Sequence, residues 1–239
     1  MVQKSLKARI QQGATPDSGL TLIECLVAIA VIAITSAVIA PAMLLSVATR
    51  VQSQRAEQAL QLAQSEIDQV RLIVERTTDY TEADLGIASV PGTGPTTEAA
   101  TVQVPNAVPA TTFNINNYQA AKAVDVDNDG ENDFAVQAFR VLGQDDASGK
   151  PVAFEMGVRV YDYDTIARNE AEQVVPGDPD RNTVKAASLG QTSGEGERGT
   201  RPLAVLYSYV VKGDQIDSLC DYFRYQGSTP STITALQCN

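Results

Sequence analysis

The stretch "SGLTLIECLVAIAVIAIT", residues 18–35, decides how this chain is read, because from Leu20 onward its one charge is Glu24. On insertion scales a carboxylate at the centre of a membrane helix costs roughly 2.5–3.5 kcal/mol. Residues 25–48 then run uncharged for 24 positions. At about 1.5 Å per residue that is ~36 Å of helix, enough to cross a bilayer. Lys4, Lys7 and Arg9 precede the run, which predicts a cytoplasmic N-terminus with the bulk of the chain outside. An ordinary secretory signal would share the basic start and use "IAPA" (39–42) as its cleavage site; a plain signal anchor would share the length. Neither has a use for Glu24.

Gly19 followed by Leu20, Thr21, Leu22, Ile23 and Glu24 resembles the cleavage and assembly motif of type IV prepilins and type II secretion pseudopilins. The resemblance covers residues 13 to about 76. It implies a dedicated peptidase that cuts after Gly19 on the cytoplasmic face, methylation of the new amine at Leu20, and retention of the apolar segment. Within one chain the amine sits on the backbone at the helix start, a poor geometry for Glu24. In hydrocarbon an uncompensated carboxylate favours any arrangement that supplies a cation. The resemblance therefore makes Glu24 an assembly address, offered to the amine of a neighbouring subunit. Implied partners are other pilins or pseudopilins, the prepilin peptidase and an inner-membrane assembly platform. The implied location is a single pass of the inner membrane, then a periplasmic or extracellular filament.

A length of 239 residues suits one domain with a tail, or two small ones. Net charge is −11, and beyond residue 19 the balance is 15 basic against 28 acidic side chains, a surface that repels nucleic acid and anionic headgroups. Histidine is absent, which removes Ser-His-Asp and Cys-His arrangements and the usual zinc sites. Cys25 in the apolar run reads as a small hydrophobe. Cys220 and Cys238, with 17 residues between them, are expected to pair if the C-terminal part is extracytoplasmic. Such a loop closure contributes ~3 kcal/mol on the chain-entropy model.

Pro41 interrupts the apolar run and predicts a kink or local melting, a further likeness to pilins. From Ala48 to Arg76 an apolar stripe forms from Ala56, Ala59, Leu60, Ala63, Ile67, Val70 and Val74. Arginines and acids, Glu66 among them, fill the other faces, and the helix is expected to end near Thr77-Thr78. Residues 81–112 read as a long surface loop with an edge strand at 101–104. Strands are expected at 134–143, 152–163 and 202–211, with a short fourth at 221–226. The expected fold is α+β: a long N-terminal membrane or filament helix whose C-terminal half carries a head of about four antiparallel strands. The chain divides into a leader (1–19), a transmembrane or filament-core helix (20–48), an amphipathic helix (49–78) and a head (79–239).

A second polar insertion, 164–201, contains "GEGERG" (194–199), a formal glycine-rich match with no preceding strand and two glutamates that would repel a pyrophosphate. The most chemical stretch is "DVDNDGENDF", residues 125–134. Asp125, Asp127, Asp129 and Asp133 fall at loop positions one, three, five and nine, with Gly130 at six and Glu131 offering its carbonyl at seven. This resembles the calcium loops of EF-hands, dockerins and thrombospondin-type repeats, but Val136 stands where an EF-hand has its bidentate glutamate. A hydrated Asx-rich turn is the other reading. The acids suggest Ca²⁺. The whole reads as a minor pilin or pseudopilin acting by assembly and not as an enzyme. "EQALQLAQSEIDQVR" (57–71) with the leader is similar to cyanobacterial pseudopilins tied to polysaccharide secretion during surface motility. The alternative is a membrane-anchored, calcium-dependent adhesin or binding protein.

Overall fold

The structure, a computed structural model, describes residues 21–76, 79–92, 98–106, 109–167, 186–187, 201–213 and 217–227. The chain divides into two units, Met1–Ala48 and Thr49–Asn239. Helix α1, Leu22–Arg76, contributes to both. In the first unit its side chains are exposed on every face, and α1 is long and apolar enough to cross a membrane. Pro41 lies inside α1 and the helix continues through it, so the local melting named above does not occur. The proline costs α1 the single bond to the Ala37 carbonyl, and the turns on either side hold the rest of the ladder.

In the second unit α1 turns amphipathic and buries Ala59, Ala63, Glu66, Ile67, Val70 and Val74. Leu60, expected on that stripe, is 41% exposed, because it follows Ala59 by one residue and so points about 100° away. Glu66, expected outside, is 8% exposed and bonds the Lys122 ammonium, which also lies 4.5 Å from the centre of the Phe113 ring. The helix ends at Arg76, as the β-branched Thr77-Thr78 pair predicts.

Among the described residues six strands follow: β1 Ala88–Val90, β2 Lys122–Val124, β3 Phe134–Val141, β4 Gln144–Asp145, β5 Pro151–Asp162 and β6 Ala204–Val211. β3 and β5 form the central antiparallel pair, in register from Phe134↔Asp162 to Arg140↔Met156. β6 lies on the other side of β5, Ala153↔Val211 to Val160↔Ala204. β1 and β2 share the outer edge of β3, β1 parallel along its end and β2 antiparallel along its start. The sheet is therefore six-stranded and mixed, where about four antiparallel strands were expected. β1 was hidden by its three-residue length within a Thr/Pro/Gly-rich stretch.

One sheet face, with Phe134, Val136, Phe154, Met156, Val158, Val160 and Val210, packs on the α1 stripe. Alternation sends Phe139, Val141, Gln137 and Arg159 to the other face, and these are buried as well. They are covered by residues from within 81–112: Ala99 and Val102 pack with Val90, Phe139 and Val141. At 98–104 that segment is thus a second layer and not a surface loop, and where an edge strand was expected at 101–104 a 3₁₀ turn, Ala99–Thr101, runs into extended chain. After α2, Tyr163–Ala167, the short strand expected at 221–226 is instead helical over 221–225, the end of α3, Asp217–Tyr225. The β-propensity of its aromatics yields to packing, with Tyr225 buried edge-on to Tyr209 at 5.8 Å.

On the outer face Gly157 leaves room for the ring of Phe139, its partner across β3 and β5. A Cβ there would lie 2.5 Å from Cζ of Phe139, which is fully buried. Gly157→Ala should therefore destabilise by about 1–3 kcal/mol, the usual cost of overpacking. Thermal unfolding of the full chain reads it; an unchanged Tm would contradict the packing described.

Candidate functional site

Two places carry chemistry. The first is the start of α1. The Thr21 backbone N–H donates to Glu24 Oε2 at 3.4 Å, and the Glu24 N–H donates to Thr21 Oγ1 at 3.3 Å. Thr21 and Glu24 thus form a reciprocal capping box, each side chain meeting one of the donors left open at a helix start. The carboxylate also sits at the positive end of the helix dipole. Glu24 is therefore partly answered within its own chain, by backbone donors, before any second subunit is considered. The signal was legible as Thr-x-x-Glu ahead of an apolar run. Gly19 and Leu20 lie outside the described residues. Cys25, one residue on, is the free cysteine among the described residues. Cys220 is buried in α3 at 4% exposure, and Cys238 lies outside the described residues.

The second place is the acidic turn joining β2 to β3. Phe134↔Val124 closes the hairpin, the Asp133 N–H donates to the Val124 carbonyl at 3.0 Å, and Gly130 takes φ +93°. A glycine is suited to that left-handed backbone, which sends the chain back toward β3. Asp125, Asp127 and Asp133 each bring one carboxylate oxygen within 4.8 Å of the others. Oxygens bound to one calcium at about 2.3–2.6 Å stand at most ~5.2 Å apart, so the three fit a single coordination shell. Asp129 and Glu131 are not part of this trio; the Asp129 carboxylate accepts the Glu131 N–H at 2.8 Å.

The trio's carboxylates also accept backbone N–H groups. Asp125 takes those of Asn128 at 2.6 Å and Gly130 at 2.9 Å, and Asp133 takes that of Val126 at 2.9 Å. These bonds pre-form the turn whether or not an ion enters it. Desolvation, with the charges of Asp129, Asp133 and Asp125, pushes the Asp127 carboxyl above its ordinary value, against the Asp129 N–H that it accepts. Asp127, Asp133 and Val126 border a groove of about 440 Å³ whose other wall is α1, with Gln54, Glu57 and Gln58. Arg55 on that wall is held by Asp162 at 3.0 Å. "GEGERG" (194–199) lies outside the described residues.

Residues 15–40 match the family model of the prokaryotic N-terminal methylation motif. That segment is the one found in type IV pilin-like and pseudopilin-like prepilins, and it fits a chain anchored in a membrane and processed by a prepilin peptidase. Neither the curated proteins nor the solved structures include a match to this chain.

The turn has a two-sided test on the full chain in detergent. A raised folded pKa means the ionised form is disfavoured by folding, so stability from this group is lost as pH rises through that pKa. Without metal at neutral pH, Asp127→Asn should therefore raise Tm, since it keeps the acceptor and removes the charge. Millimolar calcium should raise the Tm of the wild type and of Asp127→Asn unequally, the variant gaining less, and magnesium should do little in either. Equal calcium increments in both proteins would remove this turn as the site.

Proposed function

We propose that this chain is a minor pilin or pseudopilin, a subunit that enters a type IV pilus-like or type II secretion-like filament and works by assembly, without catalysis. The observation that carries the reading is the N-terminal segment: the methylation motif over 15–40, with Glu24 at the third helical position of a helix that then runs uncharged over 25–48. A prepilin peptidase cuts between Gly19 and Leu20 from the cytoplasm, and Leu20 is methylated. The apolar part of α1 holds the subunit in the inner membrane with its remaining residues outside. Other pilins or pseudopilins and an inner-membrane platform then withdraw it into the filament. In the extracytoplasmic compartment Cys220 pairs with Cys238, as an oxidising environment favours.

The acidic turn favours a second reading, a membrane-anchored binding protein that takes calcium through Asp125, Asp127 and Asp133 and never leaves the membrane. Shearing cells and assaying both fractions separates the two: filament subunits appear in the sheared fraction, an anchored adhesin stays with the membrane.

Intact mass of protein purified from cells tests the first reading. The expected species begins at Leu20, carries one methyl group, and is lighter by two hydrogens for the Cys220–Cys238 bond. Gly19→Leu should leave the full precursor, because the peptidase needs a small residue at the cut. A mature N-terminus near Met43 would overturn the reading in favour of a secretory signal.

A further inference from the structure

Arg159 is fully buried on the face of β5 that points away from α1, and among the described residues every acceptor it meets is neutral. Nη1 donates to the carbonyls of Val102 at 2.7 Å and Gln103 at 3.2 Å, and Nη2 to those of Ala99 at 3.0 Å and Ala100 at 3.3 Å. Nε meets the Tyr207 hydroxyl at 3.1 Å, and the guanidinium lies over the Phe139 ring at 4.9 Å. One side chain thus grips four carbonyls of a five-residue stretch. Two neighbours complete the hold: Glu155 Oε2 accepts the Ala99 N–H at 2.9 Å, and Gln137 Nε2 donates to the Gln103 carbonyl at 2.9 Å.

The apolar part of this attachment is small. Ala99 and Val102 pack in a cluster of five buried residues with Val90, Phe139 and Val141. That cluster is separate from the one formed by α1 and the opposite sheet face. A segment with few buried apolar contacts of its own opens more readily than a large core, so this one stands lower in the opening spectrum than the helix–sheet core. Burying a guanidinium among neutral acceptors is costly unless each donor is met, so the grip depends on the forked geometry of arginine as much as on its charge.

We infer that residues 98–104 are a strap latched by Arg159, which opens as a unit and uncovers the Gln137, Arg159 and Tyr207 face while the helix–sheet core stays folded. The arginine is a positioning residue for the strap, and its release changes which surface the second unit presents.

Hydrogen exchange of the full chain in detergent, read by mass spectrometry, tests this without any variant at first. In the wild type, peptides over 98–104 should exchange at least tenfold faster than those over 134–141 and should respond less to low denaturant. Arg159→Met should speed strap exchange at least a further tenfold and leave 134–141 unchanged. Arg159→Lys keeps the charge without the fork and should behave like Arg159→Met. Strap and β3 exchanging together in the wild type would overturn the inference. So would loss of protection across the whole sheet in Arg159→Met, or full strap protection in Arg159→Lys.

Discussion

The second unit depends on one seam, the narrow apolar row of α1 against β3, β5 and β6. Ala59 and Ala63 are fully buried in that row. Ile67, Val70 and Val74 fill the space further along, opposite Val136, Phe154, Met156 and Val158. Each buried aliphatic of that size contributes ~1.5–3 kcal/mol, so the row outweighs any single polar contact in the unit. Register follows from it. A strand slipped by one residue would turn Arg140 or Arg159 to the wrong layer, because side chains alternate with a period of two.

Polar groups inside the unit refine what the seam sets. Glu66 sits within the α1 row and bonds Lys122 at the start of β2, which fixes that strand against the helix. The Tyr80 hydroxyl donates to the Pro151 carbonyl at 2.6 Å and ties the chain after α1 to the start of β5. On the outer face, burial pushes the Tyr225 hydroxyl up to about 12 and raises Glu155 as well, so the layer there is dry enough to disfavour extra charge. A core of modest size gains specificity from such fully met groups, provided each donor and acceptor is satisfied.

Much of this was legible in the sequence because period and charge are local signals. The 3–4 spacing from Ala59 to Val74 located the packing half of α1, and alternation located β3, β5 and β6 to within a few residues. The spacing of Asp125, Asp127 and Asp133 anticipated carboxylates that do converge. What the residues could not reveal was non-local. The polar alternation Glu155, Gly157, Arg159, Tyr161 is what a solvent-facing edge would show, and only the fold places Ala99 and Val102 over it. Glu66 looked like a surface acid until Lys122, 56 residues later, came opposite. The helical state of 221–225 rests on packing against Tyr209, which strand propensity does not encode.

Glu24 joins the two kinds of information. Its place after Thr21 gives it a local task, capping the helix that it begins. Its place in an apolar segment leaves a carboxylate that backbone donors answer only in part, and under the proposed function the amine of another subunit answers it more fully. Local capping and assembly make opposite demands on variants at this position. The decisive measurement compares wild type with Glu24→Ala and Glu24→Gln in cells, following the protein in membrane and sheared-filament fractions. The account predicts normal membrane levels for all three proteins and loss of both variants from the filament fraction, including the glutamine that preserves a capping acceptor. Filament incorporation of Glu24→Gln at wild-type levels would contradict it, leaving Glu24 as a helix cap alone.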